Sequence, residues 1–600
     1  MALFREANRP FVRYFSFRPQ YNGKLPCEDD DAFGKRLELY KAGFNKLINS
    51  LSNGPSIVVP ETVPDTKDLL VRVDIRDLKW DSDKWDKVIA KYPLGYDPGD
   101  DTALKTLSDS LDTKLPIMRV DWFIANAPRP ELYHTLLDLP EKISDLEKTM
   151  GVDVNDNIRR RRVVRAAFDE GESGVSDHNR MLERHDLPQG GYYWKSYDFA
   201  GSRDLQSLRR HPHGPTDIEP LDEDLTAFHH DGGEMIFSLP NGLQGYYLST
   251  NKGDRLDRGP TSIVSFRKRP IGKGVDIING RSCMDCHADG IIAKLDRLRE
   301  FIEKSPTFTL GQRDLLLEMY VKQAELDEYY AKDRDRFLAA LEKAGATEKA
   351  PDGTLKSRSG PGKEEIVTWN ADLYEDDLDA ESLAAEFDMT PQEFEQAIQR
   401  VSDSETLRLG LDWITQLKGG SKVPRFEVEA QFAKLVKPLL GIEPLDREKL
   451  EEGATSNEDK SDKKEDTKTA AATPDYKDPD YRDDSFKGDD DKKAGKLKLS
   501  VKVANTDVFV DEQLSFDVTA SNACEVQIFY IESDGNVEVI PQEMIGEAVL
   551  PAGKARTIPD PQSGKLVFDT PGTDETLLLF CREGGLGNQK LSAAEDARSW

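Results

Sequence analysis

The sequence predicts a multidomain α+β protein, and three observations support this fold class. The chain has 600 residues, whereas domains usually hold about 100–150 residues around one core. Hydrophobic residues make up 37% of the chain, so most of it can fold. The spacing of the apolar residues changes along the chain from irregular to helical and then to strict alternation. These changes delimit four predicted segments, 1–288, 289–450, 451–495 and 496–590.

The first segment, 1–288, is predicted to be an irregular α+β region without internal repeats. Its clearest element is the run MIFSLPNGLQGYYLST at 235–250. Two apolar runs flank Pro240, Asn241 and Gly242 there, a pattern that is typical of a β-hairpin.

The second segment, 289–450, is predicted to be helical. In DGIIAKLDRLREFIEK the apolar residues fall on one face of a helix, and they are Ile291, Ile292, Leu295, Leu298 and Ile302. Thr309 can cap a longer helix that ends at Gly345. Further helices are expected at 382–401, 404–417 and 425–440.

The last two segments are predicted to be a linker and a β-sandwich. Residues 451–495 are nearly all Lys, Asp, Glu, Thr, Ala and Pro, a composition that buries too little apolar surface to fold. Residues 496–590 contain short alternating runs such as KLKLSVKVA, which are typical of antiparallel strands. Cys524 and Cys581 each lie at the edge of such a run. They pair in an oxidising compartment or remain two buried thiols, and the sequence leaves both alternatives open.

The charge of the chain excludes several classes of function. Asp and Glu number 112 against 82 Lys and Arg, which gives a net charge of −30. We therefore expect no nucleic-acid partner and no adhesion to anionic lipid, because both need a basic surface. No apolar run approaches the roughly 20 residues that a transmembrane helix needs. Five cysteines in a chain of this length exclude a disulfide-dense scaffold.

The chemically specific motif is RSCMDCH, in which Cys283, Cys286 and His287 form C-x-x-C-H. This pattern is typical of covalent attachment of haem c. Two thiols three positions apart at the start of a helix can add to the two vinyl groups of one porphyrin, and the adjacent imidazole can bind the iron. The run after the motif would supply the helix. Two alternatives stay open, half of a zinc site with Cys283, Cys286 and a histidine as ligands, and a redox or structural dithiol.

The sixth ligand of such an iron is not defined by the sequence. The other histidines all lie upstream of the motif, and they are His134, His178, His185, His211, His213, His229 and His230. His230 is the leading candidate among them, because the glycines that follow it permit a close approach of the backbone to a cofactor. Met319 is the leading thioether candidate, ahead of Met389, although methionines at helical spacing usually fill a core. An open or water-bound position is the remaining alternative.

One dense basic run stands out in this acidic chain. It contains Arg159, Arg160, Arg161, Arg162 and Arg165. These side chains pair with haem propionates, with an acidic partner, or with Asp and Glu on the same surface.

The N-terminus bears on localisation. Residues 1–23 have no apolar h-region and no small-residue cleavage site, so we predict no signal peptide here. A haem c protein must nevertheless be exported. We therefore expect that Met1 is an internal start or that the chain is trimmed, with an unrecognised export route as the alternative.

The chain resembles bacterial monohaem c-type cytochrome-domain proteins with an SCMxCH motif. The resemblance rests on HDGGEMIFSLPNGLQGYYLSTNKGDRLDRGPTSIVSF and NGRSCMDCH, and it extends upstream through LINSLSNGPSIVVPE, LPIMRVDWFIANA and ERHDLPQGGYYWKSYDFA. It covers about residues 1–345, and C-x-x-C-H is its one chemically specific part. The resemblance implies one covalent haem c and electron transfer, carried by Cys283, Cys286 and His287. The last 100 residues resemble a β-domain of unassigned role found in bacterial envelope proteins.

The sequence therefore predicts an exported monohaem electron carrier, periplasmic or associated with the cell envelope, whose β-domain docks to an envelope partner. A haem peroxidase or oxidase with an open iron site is the first alternative, and a non-redox zinc-binding scaffold is the second.

Overall fold

A computed structural model describes most of the chain before residue 448 and parts of the chain after it. The described residues are 6–22, 29–97, 99, 101–168, 172, 175–176, 178–201, 203–216, 226–260, 263–264, 276–447, 499–503, 513–531, 537–540, 542–547, 549–559, 566–567 and 576–582. The chain divides into two compact units, 1–466 and 467–600. The linker predicted at 451–495 lies outside the described residues.

The first unit is mainly helical by length. Its described α-helices are α1 (Arg18–Asn22), α2 (Asp30–Ser50), α3 (Ser82–Lys91), α4 (Thr102–Leu111), α5 (Val120–Asn126), α6 (Leu132–Leu137), α7 (Ile143–Met150), α8 (Val154–Arg159), α9 (Arg281–Cys286), α10 (Arg299–Lys304), α11 (Leu310–Met319), α12 (Gln323–Lys343), α13 (Ile366–Glu375), α14 (Ala380–Glu386), α15 (Pro391–Gln399), α16 (Ser404–Lys418) and α17 (Arg425–Leu440). The helices predicted at 404–417 and 425–440 are confirmed as α16 and α17, whereas the one predicted at 382–401 forms two helices, α14 and α15. Thr390 and Glu393 form the capping box that starts the second of these helices.

The described strands of the first unit form three sheets. They are β1 (Val12–Ser16), β2 (Glu61–Thr62), β3 (Leu70–Asp74), β4 (Ile117–Arg119), β5 (Val164–Phe168), β6 (Arg180–Asp186), β7 (Tyr192–Asp198), β8 (Gly232–Ser238), β9 (Gln244–Thr250), β10 (Arg255–Leu256), β11 (Thr347–Lys349) and β12 (Leu355–Ser357). The small sheets have the orders β2-β3-β1-β4 and β11-β12. The large sheet is an antiparallel meander in the order β10-β9-β8-β7-β6-β5. The predicted hairpin is confirmed as β8 and β9, which pair from Gly232 opposite Thr250 to Ser238 opposite Gln244.

One hydrophobic core joins the two halves of the first unit. It contains Phe44 and Tyr246 from the first half, together with Phe337 and Trp369 from the later helices. The ring of Trp369 stacks on Tyr40 with the centroids 5.1 Å apart. Thus the boundary predicted at 288 does not separate two cores, and 289–450 completes the core of the region before it.

The prediction that a helix directly follows the cysteine motif is wrong. α9 ends at Cys286, the backbone turns at Gly290, and α10 begins only at Arg299. Between them the chain bonds to the end of β5, since Arg297 donates its backbone N–H to the carbonyl of Ala167 and Asp296 accepts the N–H of Ala167. In this stretch, hydrogen bonds to β5 take the place of the helical hydrogen bonds that the spacing of the apolar residues predicts.

The long helix predicted from Thr309 to Gly345 starts as expected but is interrupted. Thr309 and Gln312 form a capping box at the start of α11. After Met319 the chain leaves the helix, because Arg299 donates to the carbonyl oxygens of Leu317 and Tyr320. α12 then continues to Lys343.

The second unit contains antiparallel strands, as predicted. They are β13 (Leu499–Val503), β14 (Gln513–Leu514), β15 (Phe516–Ala520), β16 (Cys524–Ile531), β17 (Val537–Val539), β18 (Val549–Leu550), β19 (Ala555–Ile558), β20 (Leu566–Val567) and β21 (Thr576–Arg582). Val518 of the sheet β13-β15-β19 and Val526 of the sheet around β16 belong to one buried cluster. Cys524 and Cys581 form a disulfide, which resolves the alternative left open by the sequence.

Candidate functional site

The cysteine motif lies on α9, which is anchored at its first turn. Gly280 precedes the helix with φ +83°, and a Cβ there would lie 2.6 Å from the carbonyl oxygen of Pro128. Only glycine fits such a position without strain. Arg281 is buried and binds Asp372 at 2.8 Å and also Glu375, both on α13. These contacts fix the start of the helix that carries both thiols.

The two cysteines of the motif differ in exposure. Cys283 is 2% exposed, whereas Cys286 is partly exposed. The thiol of Cys283 hydrogen-bonds to Glu234, and burial raises its pKa well above the usual range. Cys283 is therefore a protonated thiol that touches a buried carboxylate.

His287 follows the helix as its C-cap. Its backbone N–H donates to the carbonyl of Cys283 at 2.9 Å, which keeps the imidazole next to the helical turn of the thiols. Nδ1 lies 3.2 Å from the carbonyl oxygen of Gly290. A carbonyl accepts only, so Nδ1 carries the proton and Nε2 carries the lone pair. Metal-binding histidines are usually oriented by such a bond from the other ring nitrogen.

Buried charges surround the imidazole on one side. Nε2 of His287 lies 3.9 Å from Oε1 of Glu234, and Arg180 binds this carboxylate at 3.0 Å. Arg180 also binds Asp198 at 2.5 Å. Burial raises the pKa of Glu234, but the charge and hydrogen bond of Arg180 outweigh burial and hold it below its usual value. For His287, burial lowers the pKa of the imidazole, and this favours the neutral form that a metal needs.

The six-stranded sheet has two faces, and the motif lies against one of them. We call the side that carries Glu234 and Tyr246 the motif face, since the Tyr246 ring lies 6.1 Å from that of His287. Paired residues of an antiparallel sheet share a face and alternate along each strand. The opposite side, which carries Tyr197 and Met235, is here called the cavity face, because both residues line a cavity there.

His230 does not lie near His287. Its ring is 5.1 Å from that of Tyr197, and it lines the cavity together with Met235. The sheet therefore separates the two imidazoles. Met319 is fully buried at the end of α11, beside Tyr320, whose hydroxyl contacts Met181 of the cavity face.

Other buried histidines have structural partners. His134 contacts Asn279 at 3.0 Å, just before the motif, and burial lowers its pKa to about 4. His185 contacts Glu183 at 3.0 Å, and this carboxylate also accepts from Arg165 and Tyr197.

The basic run forms local ion pairs rather than a patch. Arg160 and Arg162 bind Asp156, Arg161 binds Glu318, and Arg165 is buried against Glu183. The pairs of Arg160, Arg161 and Arg162 agree with the surface alternative, whereas the Arg165 pair is fully buried, and none of the four joins the motif.

Sequence reasoning missed Glu234, Arg180 and Tyr246. Glu234 ends the HDGGE run, in which His230 was the candidate ligand. The alternation of side chains along the predicted hairpin was the sequence signal that could have assigned Glu234 to one face of the sheet. Arg180 and Tyr246 belong to no sequence motif that would have marked them as site residues.

Metal and membrane features can be stated for the described residues. Within these ranges no group of three or more His, Cys, Asp and Glu side chains is arranged to hold a metal ion. In the same part of the chain, no helix has the length and apolar character to span a bilayer.

The comparisons with known proteins concern only the second unit. A family model described as a domain of unknown function (DUF4384) matches residues 507–583, a span that includes both disulfide cysteines. No curated protein and no solved structure matches the chain.

Proposed function

We propose that the chain is an exported monohaem c-type cytochrome that transfers electrons. The observation that carries this proposal is the arrangement of Cys283, Cys286 and His287, with both cysteines on one short helix and the lone pair of the imidazole on Nε2. Cys283 and Cys286 would hold the haem as thioethers, and His287 would bind the iron. When bound, the haem supplies reversible one-electron exchange between ferric and ferrous iron.

The residues present fit this group better than they fit zinc. The porphyrin supplies four ligands, so the protein needs to contribute only one or two, which suits an isolated histidine. A structural zinc site needs four protein ligands, and the described residues hold no group of even three.

The protein residues around His287 have definable tasks. Gly290 orients the imidazole through Nδ1, and Tyr246 packs beside the ring. Glu234 and Arg180 place a fixed pair of opposite charges next to Nε2, which tunes the reduction potential of a bound iron.

The second unit supports export. Disulfides persist in oxidising compartments, so the Cys524–Cys581 bond favours a periplasmic or envelope-associated location. The β-domain would dock the haem unit to an envelope partner, and the redox partner would be another protein.

A haem peroxidase or oxidase stays the second candidate. The position of His230 on the cavity face favours it over a bis-histidine carrier, because the leading distal imidazole cannot reach an iron held by His287. An open sixth position permits a small oxidant to bind iron.

The test is an absorption spectrum of the full chain exported with haem-ligation machinery. We expect a pyridine haemochrome equivalent to a single haem and a haem stain that survives denaturing electrophoresis. The double variant Cys283→Ser with Cys286→Ser should lose both signals, whereas Cys524→Ser with Cys581→Ser should keep them. Colourless exported protein refutes the proposal, and stoichiometric zinc in such protein would establish the scaffold. A high-spin spectrum would favour the peroxidase over the carrier.

A further inference from the structure

A cavity of about 450 Å³ lies on the cavity face, on the side of the sheet opposite the cysteine motif. Strands β7, β8 and β9 form one wall, and α7 and α8 contribute to the other. Gly233 contributes no side chain to this wall, and a Cβ there would lie 2.3 Å from the carbonyl oxygen of Ser196. The volume of the cavity is within the range of about 300–1,000 Å³ that small-molecule sites occupy.

His230 is an unpaired polar side chain in this wall. It is 8% exposed and packs edge-on against Tyr197 and Phe228. Within the part of the chain that the structure describes, its ring nitrogens have no hydrogen-bond partner. His230 lines the cavity, so its ring nitrogens are available to a ligand that can form hydrogen bonds there.

The charges around the cavity favour an anion. Lys195 binds Glu147 at 3.0 Å, and Tyr193 donates to the same carboxylate at 2.8 Å, so Glu147 is compensated. Lys252 lines the cavity, is exposed, and forms no ion pair within the described ranges. It therefore leaves one positive charge without a partner.

The N-terminus of α7 adds a partial positive charge. Ile143 and Ser144 line the cavity at the first turn of this eight-residue helix, and its N-cap, Lys142, forms no side-chain capping bond. Helix N-termini attract anions through free N–H groups and the helix dipole. In α7 the N–H of Ile143 donates to the carbonyl of Gly253. The N–H of Asp145 donates to the carbonyl of Lys142, and the Asp145 carboxylate lies in the same turn. Ser144 is therefore the first-turn residue whose N–H would face an anion.

We propose that this cavity binds a small hydroxylated organic carboxylate. Its carboxylate would lie between Lys252 and the start of α7, and its hydroxyl groups would bond His230 and Ser249, which also lines the wall. A monoanion matches the single uncompensated lysine. Sites for phosphate usually use arginine forks, and no arginine is among the described lining residues. This site is independent of haem attachment.

The test is calorimetric titration of the full exported chain with D-gluconate and L-lactate. The matched neutral probes are sorbitol and propane-1,2-diol, which carry a hydroxymethyl group in place of the carboxylate, and inorganic phosphate is the third arm. We expect at least one carboxylate to saturate the protein and to bind about tenfold or more tightly than its neutral partner and phosphate.

Two variants locate the binding. Lys252→Gln and His230→Leu should each weaken carboxylate binding about tenfold, while the control variants Lys332→Gln and His211→Leu should not. Lys252 is exposed, so its variant tests the site even if His230→Leu unfolds. The proposal is overturned if neither carboxylate saturates the protein, if the neutral probe or phosphate binds equally well, or if Lys252→Gln binds like the natural chain.

Discussion

His287 and Glu234 face each other on the motif face, with Nε2 and Oε1 3.9 Å apart. The carboxylate comes from β8 and the imidazole from the end of α9, so neither residue is near the other in sequence. Arg180 on β6, two strands away from β8, binds this carboxylate at 3.0 Å. An iron bound to His287 would therefore lie close to a buried carboxylate whose position is set by an ion pair.

Glu234→Gln should raise the reduction potential of the haem-loaded protein. A buried negative charge near the iron stabilises the ferric state, and its removal favours reduction by roughly tens of millivolts. Potentiometric titration of the absorption spectrum measures the shift. Glu318→Gln removes an exposed carboxylate that pairs with Arg161, and it should leave the potential unchanged. A lower or unaltered potential in Glu234→Gln would show that this carboxylate does not act on the iron.

Gly280→Ala should destabilise the first unit. The residue has φ +83°, and the added Cβ would lie 2.6 Å from a backbone oxygen of Pro128. Strain of this kind costs about 2–4 kcal/mol. Urea unfolding followed by tryptophan fluorescence measures the loss of stability. The yield of covalent haem should fall as the stability falls. Gly311→Ala is the matched control, because nothing lies within 4 Å of its Cβ and its backbone is helical.

The double variant Cys524→Ser with Cys581→Ser should destabilise the second unit by about 2–4 kcal/mol. The bond closes a loop with a sequence separation of 57, and its removal frees the unfolded chain. Hydrogen exchange of the β16 amides at Val526 and Ile528, measured by mass spectrometry, reports this change. Unaltered protection in the variant would mean that the strands hold the domain without the bond.

Local sequence signals predicted the elements whose determinants are local. Asn241 and Gly242 predicted the hairpin, and Thr309 predicted the start of α11, because a turn and a cap depend on a few adjacent residues. The helix expected after the motif failed for the opposite reason. Asp296 bonds the backbone of Ala167, a contact over 129 positions that no periodicity reveals.

The site was predictable in part. Cys283, Cys286 and His287 stand in one motif, whereas Glu234 and Arg180 join it only because β6, β7 and β8 are neighbours in the sheet. His230 shows the converse limit. It stands four residues before Glu234, so alternation along a strand would place both side chains on one face, but His230 precedes β8, which starts at Gly232, and its ring lies on the other side of the sheet.

Glu386 should make the stability of the first unit depend on pH. Its carboxylate is buried between Arg119 and Arg425, with Asp121 and Glu429 as the nearby acidic groups. Burial raises its pKa, but the two guanidinium groups outweigh burial and lower it to about 2 from 4.5. The folded pKa lies below the unfolded one, so this stabilisation is complete above about pH 5 and is lost as the pH falls towards 2.

The measurement compares the natural chain with Glu386→Gln by urea unfolding at several pH values. At pH 7 the variant should be less stable by about 3 kcal/mol, because a buried pair loses one partner. This difference should shrink as the pH falls below 4.5, since the natural carboxylate then binds a proton in the unfolded state. Glu183, whose pKa is also lowered to about 2, titrates equally in both proteins and cancels in the comparison. Glu300→Gln, which breaks an exposed pair with Lys304, should leave stability unchanged at every pH. A difference for Glu386→Gln that stays constant from pH 7 to pH 3 would mean that packing, rather than charge, accounts for the role of this carboxylate.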